Sequence, residues 1–191
     1  LVRKLLAHIA DWRPAPRRQA LYAGDPAGRT WLEAAGITVG SYGGGKPDAG
    51  QVLIVAPGGG DVLAPHAPAV GAWLRAGGRL LALELDGEEA NRFLPAPVRT
   101  APTEHIAAAF APPPVGSPCV GIGPADVHNR APRELPLVVS GARPLGNGVV
   151  AHGEDTNVVF CQLAPYRVSQ AEGRSPGLDV DAGAAAEGSR S

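Results

Sequence analysis

The chain of 191 residues has no methionine, few aromatics, only two cysteines and no excess of either charge. Each shortage removes a class of explanation. Without methionine, Leu1 is not a translation start, so the expectation is a segment of a longer product with further domains or a targeting signal outside it. Aromatics make up 5% of residues, so the interior must be built mainly from Ala, Val and Leu. Of the three tryptophans, Trp31 and Trp73 fall on core-facing helix positions, which leaves little aromatic surface for stacking on a sugar face. Cys119 and Cys161 are too few for a disulfide framework. Cys161, inside "NVVFCQL", reads as a small buried thiol, with a bridge to Cys119 left open. Lys plus Arg total 17 against 18 Asp plus Glu, and this balance gives no bulk footprint for nucleic acid or an acidic membrane. The cluster Arg13, Arg17, Arg18 reads as a solvated approach to a strand. No apolar run approaches the roughly 20 residues needed to span a bilayer. The start, "LVRKLLAHIA", is too short and too interrupted by charge for a signal peptide. The compartment stays undetermined.

What is present is organised. The hydrophobic set is 45% of residues, enough for a core, while 26 Gly and 20 Pro give turns a large share of the chain. Val2, Leu5, Leu6 and Ile9 recur at helical spacing. After "DWRPAPRRQ", "ALYA" (20–23) is a short strand. Asp25 then offers a helix N-cap, Pro26 the first helical position and Gly36 the stop. "ITVGSY" resumes strand character before "GGGKPDAG". The unit repeats more strongly at "VLIVA" (52–56), whose continuous apolar run suits a strand covered on both faces. A helix with Ala69, Val70, Trp73 and Leu74 on one face follows, closed by Gly77 or Gly78. "RLLALEL" is the next buried strand. Alternation of this kind predicts an α/β fold with a mostly parallel sheet and right-handed crossovers. "GEEANRFLP" and "TEHIAAAF" read as short helical segments. "GVVAHG" and "NVVFCQLAP" read as a late antiparallel pair at the sheet edge, joined by a turn at "EDT". The Gly/Ala/Ser-rich tail 169–191 shows no packed element and is expected to be disordered or an interrupted domain.

The candidate chemistry lies at turns. In "APGGGD", Gly58, Gly59, Gly60 and Asp61 follow a strand, where backbone amides can face an anion at a helix N-terminus. Neither G-x-G-x-x-G nor G-x-x-x-x-G-K-[ST] is present, and Pro65 and Pro68 are expected to delay the helix. At the end of the next strand a nucleophile elbow would place Ser or Cys at the sharp turn. That turn reads Glu84-Leu85-Asp86-Gly87. Asp86 is a candidate carboxylate nucleophile, with helix capping as its plainer use. Glu104 and His105 are neighbours in a predicted short helix and so point apart. Asp126, His128 and Arg130 alternate and would share a face if extended. His66 and His152 look isolated. No spacing supports a metal site, and no cofactor is implied.

The stretches "LLAHIADW", "VLIVAPGGG", "WLRAGGRLLALELDGEEANRFLP", "EHIAAAF", "GIGPADVHNRAPRELPLV" and "NVVFCQLAPY", in that order, resemble class I glutamine amidotransferase-like domains attached to large bacterial glycoside hydrolases, β-galactosidase-like and family 2 relatives among them. The resemblance covers residues 1–168. It implies a flavodoxin-like three-layer sandwich with late edge strands. In true members of the class a Cys stands at the elbow, with His and Glu later in the chain. Here the matching turn carries Leu85-Asp86, and neither Cys119 nor Cys161 stands there. The resemblance therefore implies a scaffold that has lost its chemistry: an accessory domain that packs, oligomerises or shapes a carbohydrate site beside the catalytic and sugar-binding domains of its parent. Two alternatives are kept. One is a stand-alone small-molecule hydrolase using Asp86, Glu104, His105 or His128; the other is a sugar-binding module.

Overall fold

The computed structural model describes residues 18–154 and 156–163. The N-terminal helix read at 1–10 and the tail at 169–191 lie outside them.

The first unit is β1 (Gln19–Ala23), α1 (Pro26–Ala34) and β2 (Val39–Ser41). Asp25 caps α1 as the sequence predicts, its Oδ1 accepting from the Gly28 amide at 2.8 Å. The second unit is β3 (Gln51–Val55), α2 (Gly59–Leu63), a 3-10 turn at Ala64–His66, α3 (Ala67–Arg75) and β4 (Arg79–Leu83). Pro65 and Pro68 do not delay the helix to a distance. Instead α2 starts at the glycines, and the prolines divide it from α3, because each lacks the amide that a continuous helix needs. Both α1 and α3 end on glycines in the left-handed region, Gly36 (φ 79°) and Gly77 (φ 92°). In each the next two amides fold back on the last turn: Gly36 to Glu33 O and Ile37 to Leu32 O, Gly77 to Leu74 O and Gly78 to Trp73 O.

After α4 (Gly87–Ala90), β5 (Arg99–His105) and β6 (Arg133–Ser140) form a separate antiparallel ribbon. This corrects the helical reading of "TEHIAAAF". Thr103 to His105 are strand residues paired with Leu135 to Arg133, and residues 107–110 have no regular structure. Non-local pairing has overridden the local alanine-rich pattern. The chain closes with β7 (Arg143–Leu145), β8 (Val150–His152) and β9 (Asn157–Cys161). The main sheet has seven strands in the order β2-β1-β3-β4-β9-β8-β7. From β2 through β9 all pairs are parallel, while β8 and β7 add antiparallel. The antiparallel pair β8–β9 is as expected, but neither of its strands is an edge: β7 covers β8, and β9 lies inside the sheet against β4. The architecture is α/β with a mostly parallel sheet, a flavodoxin-like three-layer arrangement.

Alternation along each strand makes two apolar faces. Leu53, Val55, Leu80, Ala82, Val158 and Phe160 face α3, whose Val70, Trp73 and Leu74 are buried on them. Tyr22, Ile54 and Leu83 face the other way, under Leu32 of α1. Farther along that second face, Cys119 and Val127 pack on Val150. Trp73 is 1% exposed, and its Nε1 donates to Asp48 O at 3.2 Å, tying the loop 43–50 to α3. Trp31 is half-buried. Trp73→Ala is therefore expected to cost about 3–5 kcal/mol in chemical denaturation, since it opens a cavity under α3 and frees that loop together.

Candidate functional site

Open parallel sheets bind ligands beyond the strand C-termini, where the strand order changes direction. Here that point lies between β1 and β3, and the chain fills it itself. The Asp25 amide donates to Pro57 O and the Ala56 amide to Ala23 O, each at 2.9 Å. Gly59 sits so close that a Cβ would run into the Ala23 carbonyl and the Val55 side chain. The Tyr22 hydroxyl closes the same turn, donating to Asp25 O at 2.8 Å. Its burial, together with the neighbouring Asp25 carboxylate, holds that phenol well above the usual tyrosine range.

The glycine loop has an anion bound, and it belongs to the protein. Glu89 Oε1 accepts from the Gly60 amide at 2.8 Å, and a Cβ on Gly60 would collide with the Glu89 side chain. Gly58, at φ 85°, precedes the helix in the left-handed region and is exposed. Asp61 pairs with Arg92, which also reaches Glu88 at 2.9 Å. These exposed pairs raise the Arg92 pKa and add little to stability.

The elbow after β4 differs from its sequence reading by one or two residues. The left-handed residue is Glu84 (φ 52°), the only non-glycine with positive φ among the described residues. The apex is therefore Glu84, not Leu85-Asp86. Leu85 is fully buried in the core, and Asp86 caps α4, its Oδ1 accepting from the Glu89 amide at 2.7 Å. The signal for the apex was only the first residue after a five-residue strand, which the longer apolar run "RLLALEL" concealed. Under the elbow Gln162 is fully buried; its Nε2 donates to Leu85 O at 3.0 Å, while its Oε1 has no hydrogen-bond partner among the described residues. Gln162 is the polar residue that sequence reasoning passed over.

The remaining candidates are scattered. Glu104 is exposed on β5, opposite Glu134. His105 ends that strand, 1% exposed, and both ring nitrogens are engaged. Nε2 donates to Val127 O at 2.7 Å, which leaves Nδ1 to accept from the Asn147 amide at 2.9 Å. Asp126, His128 and Arg130 do not share an extended face, because Pro124–Val127 is a 3-10 turn. Asp126 Oδ2 accepts from the Gly123 amide at 2.8 Å and holds that turn; all three residues are exposed. His66 stacks edge-on to Tyr42, and His152 Nδ1 meets Gly153 O at 3.1 Å. Two hollows, of about 520 and 580 Å³, open beside the proline-rich segment and on the second face of the sheet; His152 lines the first, and Glu104, His105, Asp126, His128 and Arg130 line neither. Among the described residues no group of His, Cys, Asp and Glu is placed to hold a metal, and no helix is long and apolar enough to cross a membrane.

Cys119 and Cys161 are both free thiols, and burial raises the pKa of each. A thiol raised in this way carries less thiolate than a free cysteine near neutral pH, the reverse of an activated nucleophile. Alkylation of the folded protein by iodoacetamide at pH 8 is expected to run at least about tenfold slower than that of free cysteine. Denaturant should restore the ordinary rate. Asp86→Ala should cost about 1 kcal/mol as a lost cap, and Glu89→Ala about 1–3 kcal/mol by leaving the Gly60 amide unpaired, both read from urea midpoints.

Compared with family models, curated proteins and solved structures, the chain matches none, so the functional reading rests on the geometry and on the resemblance carried by its motifs.

Proposed function

We propose that this chain is a non-catalytic, amidotransferase-like accessory domain of a multidomain glycoside hydrolase, serving to pack, oligomerise or shape a carbohydrate site while other domains of the parent cleave the glycosidic bond. The observation that carries the non-catalytic part is Glu89 on the Gly60 amide: the position where this architecture would receive an anionic ligand is taken by its own carboxylate. The elbow supports the same reading. Amidotransfer needs a thiol at the apex beside an activating base, and the apex here is Glu84. The buried histidine, His105, has both nitrogens committed to structure. The glycoside hydrolase context is supported by the order of motifs that resembles such domains.

The purified chain is expected to turn over neither glutamine nor chromogenic glycosides, and Asp86→Asn and His128→Ala should alter only stability or nothing. Measurable turnover that disappears in either variant, with circular dichroism unchanged, would establish an enzyme instead. Co-purification with a separately expressed glycosidase domain from the same reading frame would support the accessory role.

A further inference from the structure

The second face of the main sheet brings together two thiols from distant parts of the chain. Cys119 lies in a run of tight turns: its amide donates to Ser117 Oγ at 3.1 Å, and its carbonyl accepts from the Ile122 amide at 3.1 Å. These turns set its side chain inward, where it is 0% exposed and belongs to one packed cluster with Val127, Val149 and Val150. Cys161, the last residue of β9, is half-buried and stands directly opposite Val150 in the antiparallel β8–β9 pair. Directly opposed side chains share a face, with Cβ atoms about 5 Å apart. Val159 and Leu163, two residues before and after Cys161, also pack against the Cys119 cluster. Cys161 is therefore bracketed by side chains of that cluster, both along its own strand and across to the next. The thiols also sense each other electrically. Burial raises the Cys161 pKa, and the Cys119 charge raises it further.

We propose that Cys119 and Cys161 are a dithiol modification site, converted to an intrachain disulfide by a small disulfide such as oxidised glutathione. One cysteine thiolate attacks a sulfur of the reagent, breaking its S–S bond and releasing one glutathione thiolate. The second cysteine thiolate attacks the cysteine sulfur of that mixed disulfide, which forms the Cys119–Cys161 bond and releases the other glutathione. The two thiol protons end on the two glutathiones, and the cysteine pair supplies the two electrons that reduce the reagent. The environment of the sulfurs sets the character of the site. Little thiolate is present near neutral pH, so the bridge forms slowly. Basic thiols are also poor leaving groups, so it opens slowly once made. That behaviour suits a fastening rather than a rapid redox sensor. The bridge fastens the segment around Pro118, which lines both hollows of the second face, to the strand between β4 and β8. Its chemistry is independent of what the parent protein does.

The test uses the full chain in glutathione redox buffers at pH 8, with and without urea, each approached from reduced chain and from chain oxidised in urea. Free thiols are counted after an acid quench, and the bridge is located by peptide mapping. The ratio of bridged to reduced protein is expected to be at least about tenfold higher in the folded state than in urea. The bridged chain should weigh two hydrogens less and melt roughly 3 °C or more above the reduced chain. Cys119→Ser and Cys161→Ser should each show the same Tm in oxidising and reducing buffer. A ratio equal to or below that in urea would overturn the proposal. So would stable glutathione adducts on both cysteines, links formed only between chains, or a folded chain that stays reduced at every buffer ratio. The equilibrium of the unsubstituted chain reads the site without requiring a variant to fold.

Discussion

The approach of Gly59 to the Ala23 carbonyl is the constraint on which the C-terminal end of the sheet depends. It brings the turn after β3 against the turn after β1, and the two then share the hydrogen bonds from Asp25 to Pro57 and from Ala56 to Ala23. A side chain at residue 59 would force the turns apart and open the crevice where sheets of this kind bind ligands. The glycines of "APGGGD" thus shut a site rather than build one. Gly60 continues the pattern from the other side, since its lack of a side chain admits Glu89 to the amide. Glycine-rich turns permit close approach of whatever comes next; in this chain that is the chain itself.

The elbow extends this closure to the smaller ribbon. Leu85 is anchored in the core, and Gln162 of the segment after β9 holds its carbonyl. The Gly87 amide donates to Thr100 Oγ1, and Asn91 bonds Val98 through both its amide atoms. The Gly87 amide and the Asn91 side chain are therefore spent on positioning the start of β5. The strained backbone at Glu84 is held in place by these surroundings, as such conformations require. On the far side His105 fastens the end of β5 to Val127 and Asn147. A buried histidine with two satisfied nitrogens fixes one relative placement of ribbon and loop, because any shift leaves a polar atom unpaired in the interior.

What could be read from the sequence depended on whether the cause was local. Asp25, Pro26 and Gly36 bracket α1 with capping chemistry that acts within a few residues, and the structure follows them. The continuous apolar run 52–56 and the Val70, Trp73, Leu74 stripe were legible for the same reason. "TEHIAAAF" failed because its strand is made by partners some thirty residues away, Arg133 to Leu135. The alternation of Asp126, His128 and Arg130 failed because Pro124 and the Asp126 side chain favour a turn over an extended segment. Glu89 was not visible as the glycine loop's anion, since the two lie 29 residues apart and no pattern of residue types links them. The occupant of an anion site is a tertiary fact.

A scarcity of aromatics shapes the whole economy of this core. Alanine and valine bury little area each, so cohesion must come from bringing backbones close rather than from bulky side chains. That explains why Trp73 and Phe93 sit fully buried on the same face of the sheet, where helices stand off at side-chain distance. It also explains why the loops at the C-terminal ends are joined by main-chain hydrogen bonds and carboxylate caps. A fold held this way leaves few polar groups at liberty where its strands end. Chemistry there would have to break the contacts that keep the turns together, and the proposed accessory role rests on that constraint.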